Sequence, residues 1–363
     1  MLTADPKGSF LAHEKDIRAA IDRVLDSGRY ILGQEVEAFE REWSQYLGGG
    51  VTVGVGNGTD ALEIALRASG VGHGDRVVTV ANTVSATISA IEQTGATPVF
   101  VDIEPDTLLM DPASLERALA HGNVAAVIPV HLYGHMADMP AILQLADSHG
   151  IPVIEDCAQA HGASLLGRKA GTWGAFAAFS FYPTKNLGAL GDAGAVYSRD
   201  PALAARAALL RQYGWRTRYL SEEAGRNSRL DELQAAILRA KLPHLDAENA
   251  VRARNAARYL AALPAGRLRL PVTEPGSRPV WHQFVVRCPD RESLREHLAR
   301  HGIHAAVLYP IPAHKQPAYE QAGLSLPVSE AACAELLCLP CQPGLSEAEI
   351  DSVITRIQAW AQP

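Results

Sequence analysis

The stretch 124–156, VAAVIPVHLYGHMADMPAILQLADSHGIPVIED, decides the fold. Two apolar runs rich in β-branched residues, VAAVIPV (124–130) and IPVIED (151–156), flank MPAILQLADSHG, which carries a helical pattern. Strand, helix and second strand make a crossover unit. Strands apolar along their whole length belong to a mostly parallel sheet covered on both faces. Runs of the same kind stand on either side: VTVGV (51–55), RVVTVA (76–81), TPVFVD (97–102), AFAAFSF (175–181) and AGAVYS (193–198). Helical patterns separate the first five runs. The last two lie close together, so that end of the sheet is expected to be mixed.

The expectation is an α/β fold in two parts. Residues 1–240 form a large domain with a mixed, mostly parallel seven-stranded sheet flanked by helices, and residues 1 to about 48 form its N-terminal helical segment. A long helical stretch from about 230 to 261 leads into a smaller C-terminal α/β domain, residues 241–363. The last helix of that domain starts at Ser346, an N-cap with Glu349 three residues on. In open α/β sheets ligands bind at the carboxyl ends of the strands, and the chemistry is sought there.

Composition narrows the classes. The chain has 363 residues, 47% of them hydrophobic, and a formal charge of −7, which gives no overall electrostatic footprint for nucleic acid. No apolar run reaches the length of a membrane span, and MLTADPKGSF lacks the charged-then-apolar layout of a signal peptide. Five cysteines without a regular framework fit a reducing cytoplasm. Cys338 and Cys341 stand in CLPC with no second pair or histidines at ligand spacing, so they read as small buried residues and no metal is expected.

Four stretches carry candidate chemistry. GNGTDALEIAL (56–66) is a glycine-rich turn running into a helix, where backbone N–H groups near Gly58 and Thr59 can face an anion. Its spacing fits no familiar nucleotide loop, and such glycines also serve shape alone. IPVIEDCAQAHGA (151–163) ends an apolar strand in Glu155 and Asp156, with Gln159 and His161 following. A carboxylate there can hold the proton of a cationic ring nitrogen, or simply cap a turn. FSFYPTKNLG (179–188) places Lys185 among apolar neighbours, which favour the neutral, nucleophilic amine, and Ser180 five residues earlier can donate to a phosphate. Together these are the parts of a pyridoxal 5′-phosphate site. The fourth, 199–229, is rich in arginine and reads as a positive patch for an anionic substrate, or as a solvated helix face and loop. His131 and Tyr133 follow the fourth strand and are given no role.

NGTDALEIALRA, VIEDCAQAHGA, FSFYPTKNLGALGDAGAV, NSRLDELQAAIL and YPIPAHKQPAY together resemble the DegT/DnrJ/EryC1/StrS sugar aminotransferases, over essentially the whole chain and in the family's order. The resemblance implies the pyridoxal phosphate-dependent fold type I, the aspartate aminotransferase-like fold. It implies that Lys185 bonds to the cofactor and carries protons. It pairs Asp156 with the pyridine nitrogen, Gln159 with the ring's 3-oxygen, and Gly58, Thr59 and Ser180 with the phosphate. Asn227 is implied to reach the neighbouring subunit's phosphate, hence a homodimer with shared sites. Tyr182, Arg218 and Tyr309 match positions that approach the nucleotide-sugar. Two positions depart from the family's pattern: Val84 stands where an aromatic residue often stacks on the cofactor ring, and Leu308 where histidine is common.

The implied activity moves an amino group from L-glutamate to a nucleotide-linked keto-sugar. The VANT, HLYG and FYPTKNLGALGD segments resemble members acting at C3 of dTDP-linked 3-keto-6-deoxyhexoses more than members acting at C4. A UDP-linked or 4-keto sugar, or an aminocyclitol precursor, is the alternative within the class. A sugar dehydratase on the same fold is expected to carry histidine in place of the lysine, so Lys185 argues against it. A non-catalytic, regulatory cofactor-binding protein is the third reading.

Overall fold

The computed structural model describes residues 1–362. Each apolar run contains a strand: β1 (Val51–Val55), β2 (Arg76–Val80), β3 (Thr97–Val101), β4 (Ala126–Ile128), β5 (Ile154–Asp156), β6 (Phe176–Ser180) and β7 (Gly194–Ser198). The ladders form a four-stranded set, β1-β7-β6-β5, and a three-stranded set, β3-β2-β4. Parallel bridges from Val127 to Val153 and from Val130 to Asp156 join the two. Pairing is parallel between β2 and β3, β2 and β4, and β5 and β6. It is antiparallel where β7 meets β6 and β1, so the mixed end also takes in the first strand, which the run spacing did not place.

β4 and β5 are shorter than their runs because Pro129 and Pro152 have no N–H to give a ladder. Their carbonyls still accept, from Asp156 N at 2.9 Å and from Val127 N at 3.1 Å. These two bonds fix the height of Asp156 beside the end of β4.

Two N-terminal helices, Glu14–Ser27 and Gln34–Tyr46, pack beside Glu232–Lys241. Gln34–Tyr46 starts after Gly33 without a side-chain cap of its own. Buried Glu232 supplies one from a distance: its carboxylate accepts from Gly33 N at 2.6 Å, Val36 N at 3.0 Å and Glu35 N at 3.0 Å. A carboxylate at that end also suits the helix dipole. The single long helix expected over 230–261 is instead Glu232–Lys241, a 3-10 turn Leu242–His244 and Leu245–Ala262. Pro243 cannot donate its share of the helical ladder, and the break falls there.

Beyond it a second core gathers Tyr259, Phe284, Leu294, Leu298, Ile350 and Ile357 around the antiparallel pair Phe284–Arg287 and Leu336–Leu339. The final helix, Glu347–Ala361, begins with the expected reciprocal cap: Glu349 N donates to Ser346 Oγ at 3.3 Å and Ser346 N to Glu349 Oε2 at 2.8 Å. Among the described residues the five cysteines are free and buried, and no helix is long and apolar enough to cross a membrane.

Candidate active site

A cavity of about 720 Å³ opens at the carboxyl ends of β5 and β6. Its floor comes from the turn into helix Gly58–Ala68. Asn57 caps that helix by accepting Asp60 N at 2.8 Å, while the amides of Gly58 and Thr59 have no acceptor among the described residues. Gly58 has to be glycine: a Cβ there would lie 2.7 Å from Ser180 Cβ. Gly194, on the adjacent strand, would likewise drive a Cβ to 2.4 Å from the Asn57 backbone. The two glycines let the helix start sit directly against β6 and β7, so free N–H groups and the Ser180 hydroxyl converge on one spot. That is an anion cradle. Asp60, an acid in the same first turn, is neutralised by Arg226 at 2.8 Å and by the Ser228 hydroxyl at 2.6 Å.

Asp156 ends β5 with its side chain in the cavity. Oδ2 accepts from Thr87 Oγ1 at 3.0 Å and Oδ1 from Ala158 N at 3.1 Å. Burial raises its pKa, while those two bonds and the charge of Lys185 pull the other way. Glu155, the neighbouring acid, faces the opposite side and is consumed by structure. It accepts Trp173 N at 2.7 Å, Gly171 N and Gly174 N at 2.8 Å, and His131 Nε2 at 2.9 Å. His131 Nδ1 in turn accepts Ala137 N at 3.1 Å. His131, Glu155 and Cys157 lie close enough together to suggest a metal site, yet both ring nitrogens and both carboxylate oxygens are already engaged. This cluster holds the 171–174 turn, not an ion.

Lys185 follows a tight turn in which its N–H donates to Tyr182 O at 2.8 Å. Burial lowers its amine to about 8, with Asp156 opposing the shift. No carboxylate forms an ion pair with it among the described residues. Next to it, Asn186 is clamped: Nδ2 donates to Asn249 Oδ1 at 2.8 Å and Val280 O at 3.0 Å, and Oδ1 accepts from His282 Nδ1 at 3.0 Å. The lysine's position is therefore set by buried amides in the residues around 249 and 280.

Gln159 is oriented at its oxygen by Tyr133 N at 2.7 Å, and its Nε2 donates to Tyr309 Oη at 3.3 Å. Tyr133 Oη donates to Leu308 O at 2.6 Å, tying the 308–309 segment over the cavity. Val84, just before helix Ser85–Gln93, is 36% exposed and looks into the cavity, as does Tyr182 at 51%.

Of the residues expected from sequence, Gly58, Thr59, Val84, Asp156, Gln159 and Ser180 share this one cavity with Tyr182, Lys185 and Tyr309. Asn227 and Arg218 do not line it; both are exposed, Arg218 between the short strands Trp215–Thr217 and Leu220–Ser221. The arginine-rich patch is largely spent inside the chain. Arg206 pairs with Glu223 at 3.1 Å, Arg211 with Glu40 at 2.5 Å, Arg216 with Glu222 at 2.8 Å and Arg226 with Asp60. Glu222 and Glu223 directly follow the hairpin, while Glu40 and Asp60 are distant in sequence, so counting local charge overstated the patch. Thr87 and His282 are site residues that the sequence reading missed. Thr87 stands three residues after Val84, yet only the fold brings it to Asp156.

A family model described as the DegT/DnrJ/EryC1/StrS aminotransferase family matches residues 12–358. The chain belongs to this family.

Among its relatives, the dTDP-3-amino-3,4,6-trideoxy-alpha-D-glucose transaminase of Streptomyces venezuelae is 47% identical, over 99% of this chain and 95% of that one. The dTDP-3-amino-3,6-dideoxy-alpha-D-galactopyranose transaminase of Aneurinibacillus thermoaerophilus is 44% identical, over 96% of each chain. The crystal structure of S. venezuelae DesV in complex with a ketimine intermediate superposes with a TM-score of 0.95 at 47% identity, covering 100% of this chain and 98% of that one. This DegT-family chain thus has the fold type I architecture and is an aminotransferase whose cofactor is pyridoxal phosphate. Its own residues fit that cofactor: an open anion cradle, a buried carboxylate for the ring nitrogen and an unpaired lysine stand around one cavity.

Proposed function

We propose that this chain transfers an amino group from L-glutamate to a nucleotide-linked keto-sugar, a dTDP-3-keto-6-deoxyhexose, giving a 3-amino-3,6-dideoxyhexose. The observation that carries the reading is the sharing of one cavity by Lys185, Asp156 and the Gly58–Ser180 cradle. The dTDP-3-amino sugars named for the S. venezuelae and A. thermoaerophilus relatives support the choice of sugar.

The residue roles belong to the same proposal. Gly58 N, Thr59 N and Ser180 Oγ hold the phosphate. Asp156, whose charged form Thr87 and Ala158 N favour against burial, holds the proton of the ring nitrogen. Gln159 Nε2 turns to the ring oxygen and exchanges its weak 3.3 Å bond to Tyr309. Val84 packs against the ring face without stacking. When bound, pyridoxal phosphate supplies the electrophilic carbon and the electron-accepting ring. With its pKa at about 8, roughly a tenth of the Lys185 amine is neutral at pH 7, enough to form the bond to the cofactor and then to accept and return a proton. Tyr182 and Tyr309 wall the sugar side.

A homodimer completes the site. Arg218, in the 215–221 hairpin, and Asn227, beyond it and bridged to Gln212, stand exposed outside the chain's own cavity, where they can serve a second subunit. The division into 1–240 and 241–363 is drawn at the Leu242–His244 break, and the free, buried cysteines favour the cytoplasm. The reaction is tested by offering the purified protein glutamate with dTDP- and UDP-linked 3- and 4-ketosugars. Turnover of the dTDP-3-ketosugar is expected; exclusive turnover of 4-ketosugars would remove the C3 assignment.

A further inference from the structure

A hydrogen-bond chain with a single direction runs past the residue after the lysine. Asn249 Nδ2 donates to His161 O at 2.9 Å, which leaves Asn249 Oδ1 to accept Asn186 Nδ2 at 2.8 Å. Asn186 Nδ2 also donates to Val280 O at 3.0 Å, so Asn186 Oδ1 is the acceptor that faces His282 Nδ1 at 3.0 Å. The two backbone carbonyls can only accept, and they fix the orientation of both amides. His282 Nδ1 must therefore carry a proton. In a neutral ring Nε2 is then a bare lone pair. Burial, followed by the charges of Lys185, Arg252 and His161, holds the ring well below its ordinary pKa and keeps it neutral.

That lone pair is unspent. His282 is 4% exposed and lines the cofactor cavity, and its Nε2 meets no hydrogen-bond partner among the described residues. Gln283, 5% exposed, lines the same cavity, and its Oε1 is buried without a partner. An unpaired buried acceptor is costly, and two neighbouring ones in a cavity of ligand size call for a ligand that donates. Neither side chain is charged, and the imidazole lone pair repels a phosphate or a carboxylate. A hydroxyl group suits them. The bond through Asn186 places this acceptor beside Lys185, the strongest of the charges that act on it.

We propose that His282 is a specificity-determining residue: its Nε2 accepts from a sugar hydroxyl on a carbon next to the one that takes the amine, with Gln283 beside it. The inference rests on the keto-sugar reading above and adds the residue that recognises the sugar ring. The two ring nitrogens have separate duties. Nδ1 is spent on Asn186, and so on the placement of Lys185, while Nε2 is left for the substrate. A sugar without the hydroxyl strands the lone pair, which is how a site built to hydrogen-bond its substrate rejects an analogue.

The test uses the holoenzyme. With ¹⁵N-labelled histidine, His282 should show Nδ1 protonated and Nε2 unprotonated from about pH 6 to about pH 9. The Nε2 resonance should move on adding dTDP-6-deoxyglucose, which carries hydroxyls but neither carbonyl nor amine, and stay in place with dTDP alone. A protonated Nε2, no movement with the sugar, or equal movement with dTDP each overturns the proposal. His282→Asn keeps a donor at the level of Nδ1 and lacks Nε2. It should raise KM for the dTDP-3-ketosugar about tenfold, with little change in melting temperature. Half-maximal conversion of the cofactor by glutamate should stay within about twofold of wild type; equal losses in both half-reactions would make His282 a support for Lys185 only. Of the 3-ketosugars deoxygenated at C2 or at C4, one should lose about tenfold with wild type and nothing further with His282→Asn, and full additivity for both contradicts the assignment. If His282→Asn does not fold, the wild-type resonances decide. Sugar-dependent movement of Nε2 in a protein that aminates no keto-sugar keeps the subsite and removes the keto-sugar reading, whereas amination without that movement removes the subsite alone.

Discussion

Thr87 Oγ1 donates to Asp156 Oδ2 at 3.0 Å, and Thr87 itself is met by Thr83 Oγ1 at 3.0 Å. A threonine pair, Thr83 in the turn after β2 and Thr87 on the helix that follows, thereby supports the ionised form of a carboxylate that burial pushes toward neutrality. Hydrogen bonds to charged groups contribute about 1.5–3 kcal/mol. Thr87→Val keeps the shape and removes the donor, so the Asp156 pKa rises further and its hold on a protonated ring nitrogen weakens. Titration of the apoprotein with pyridoxal phosphate should show affinity roughly tenfold or more below wild type, with little change in melting temperature. Unchanged affinity would mean that Ala158 N alone keeps Asp156 ionised.

The Lys185 amine gives a stability test. Its pKa falls from 10.5 to about 8 on folding, so below pH 8 both states are protonated and the folded state bears the full penalty of a buried charge. Between about 8 and 10.5 the unfolded chain alone holds the proton, and stability gained on raising pH removes that penalty. In the apoprotein, Lys185→Met should therefore be more stable than wild type at pH 7, by at most about 3 kcal/mol. The difference should shrink as pH rises through that window. Denaturation of both apoproteins at pH 7 and pH 10 measures it.

Glu155 should matter to the fold and not to the chemistry. Truncating it to alanine strands His131 and three N–H groups, one buried and two partly buried, a loss of about 3–5 kcal/mol for a broken buried pair. Denaturant unfolding of Glu155→Ala should show that loss, and a chelator should leave wild-type activity unchanged. Activity restored by an added divalent metal would instead make His131, Glu155 and Cys157 a metal site.

These pairs show what the sequence could and could not disclose. Asp156 and Lys185 were readable because each ends or follows an apolar run, and a charged group there is exceptional. Glu155 sits in the same IED triplet, and only the alternation of side chains along β5 separates the structural acid from the one in the cavity. The strand runs were legible from composition; the antiparallel placement of β1 beside β7 was not, because it depends on long-range pairing. Arg211 and Arg226 looked like part of a ligand patch because their partners Glu40 and Asp60 come together with them only in the folded chain. Thr87 stands three residues after Val84, but nothing in the sequence aimed it at Asp156.

Val84 offers a gain-of-affinity prediction. It faces the cavity where an aromatic ring could stack, and aromatic pairs contribute about 0.5–1.5 kcal/mol beyond area burial. Val84→Phe should slow dissociation of the cofactor several-fold, read from the rate at which its absorbance is lost on dilution. Faster loss would show that the wall at residue 84 has no room for a ring.

The most direct test of the account follows the amino nitrogen. Holoenzyme with ¹⁵N-labelled L-glutamate and a dTDP-3-keto-6-deoxyhexose should yield an amino sugar carrying the label, with one 2-oxoglutarate per amino sugar, by mass spectrometry. Lys185→Ala should yield none on the same timescale. Wild-type protein that binds the cofactor yet places no label in any keto-sugar would contradict the account, as would Lys185→Ala working at the wild-type rate.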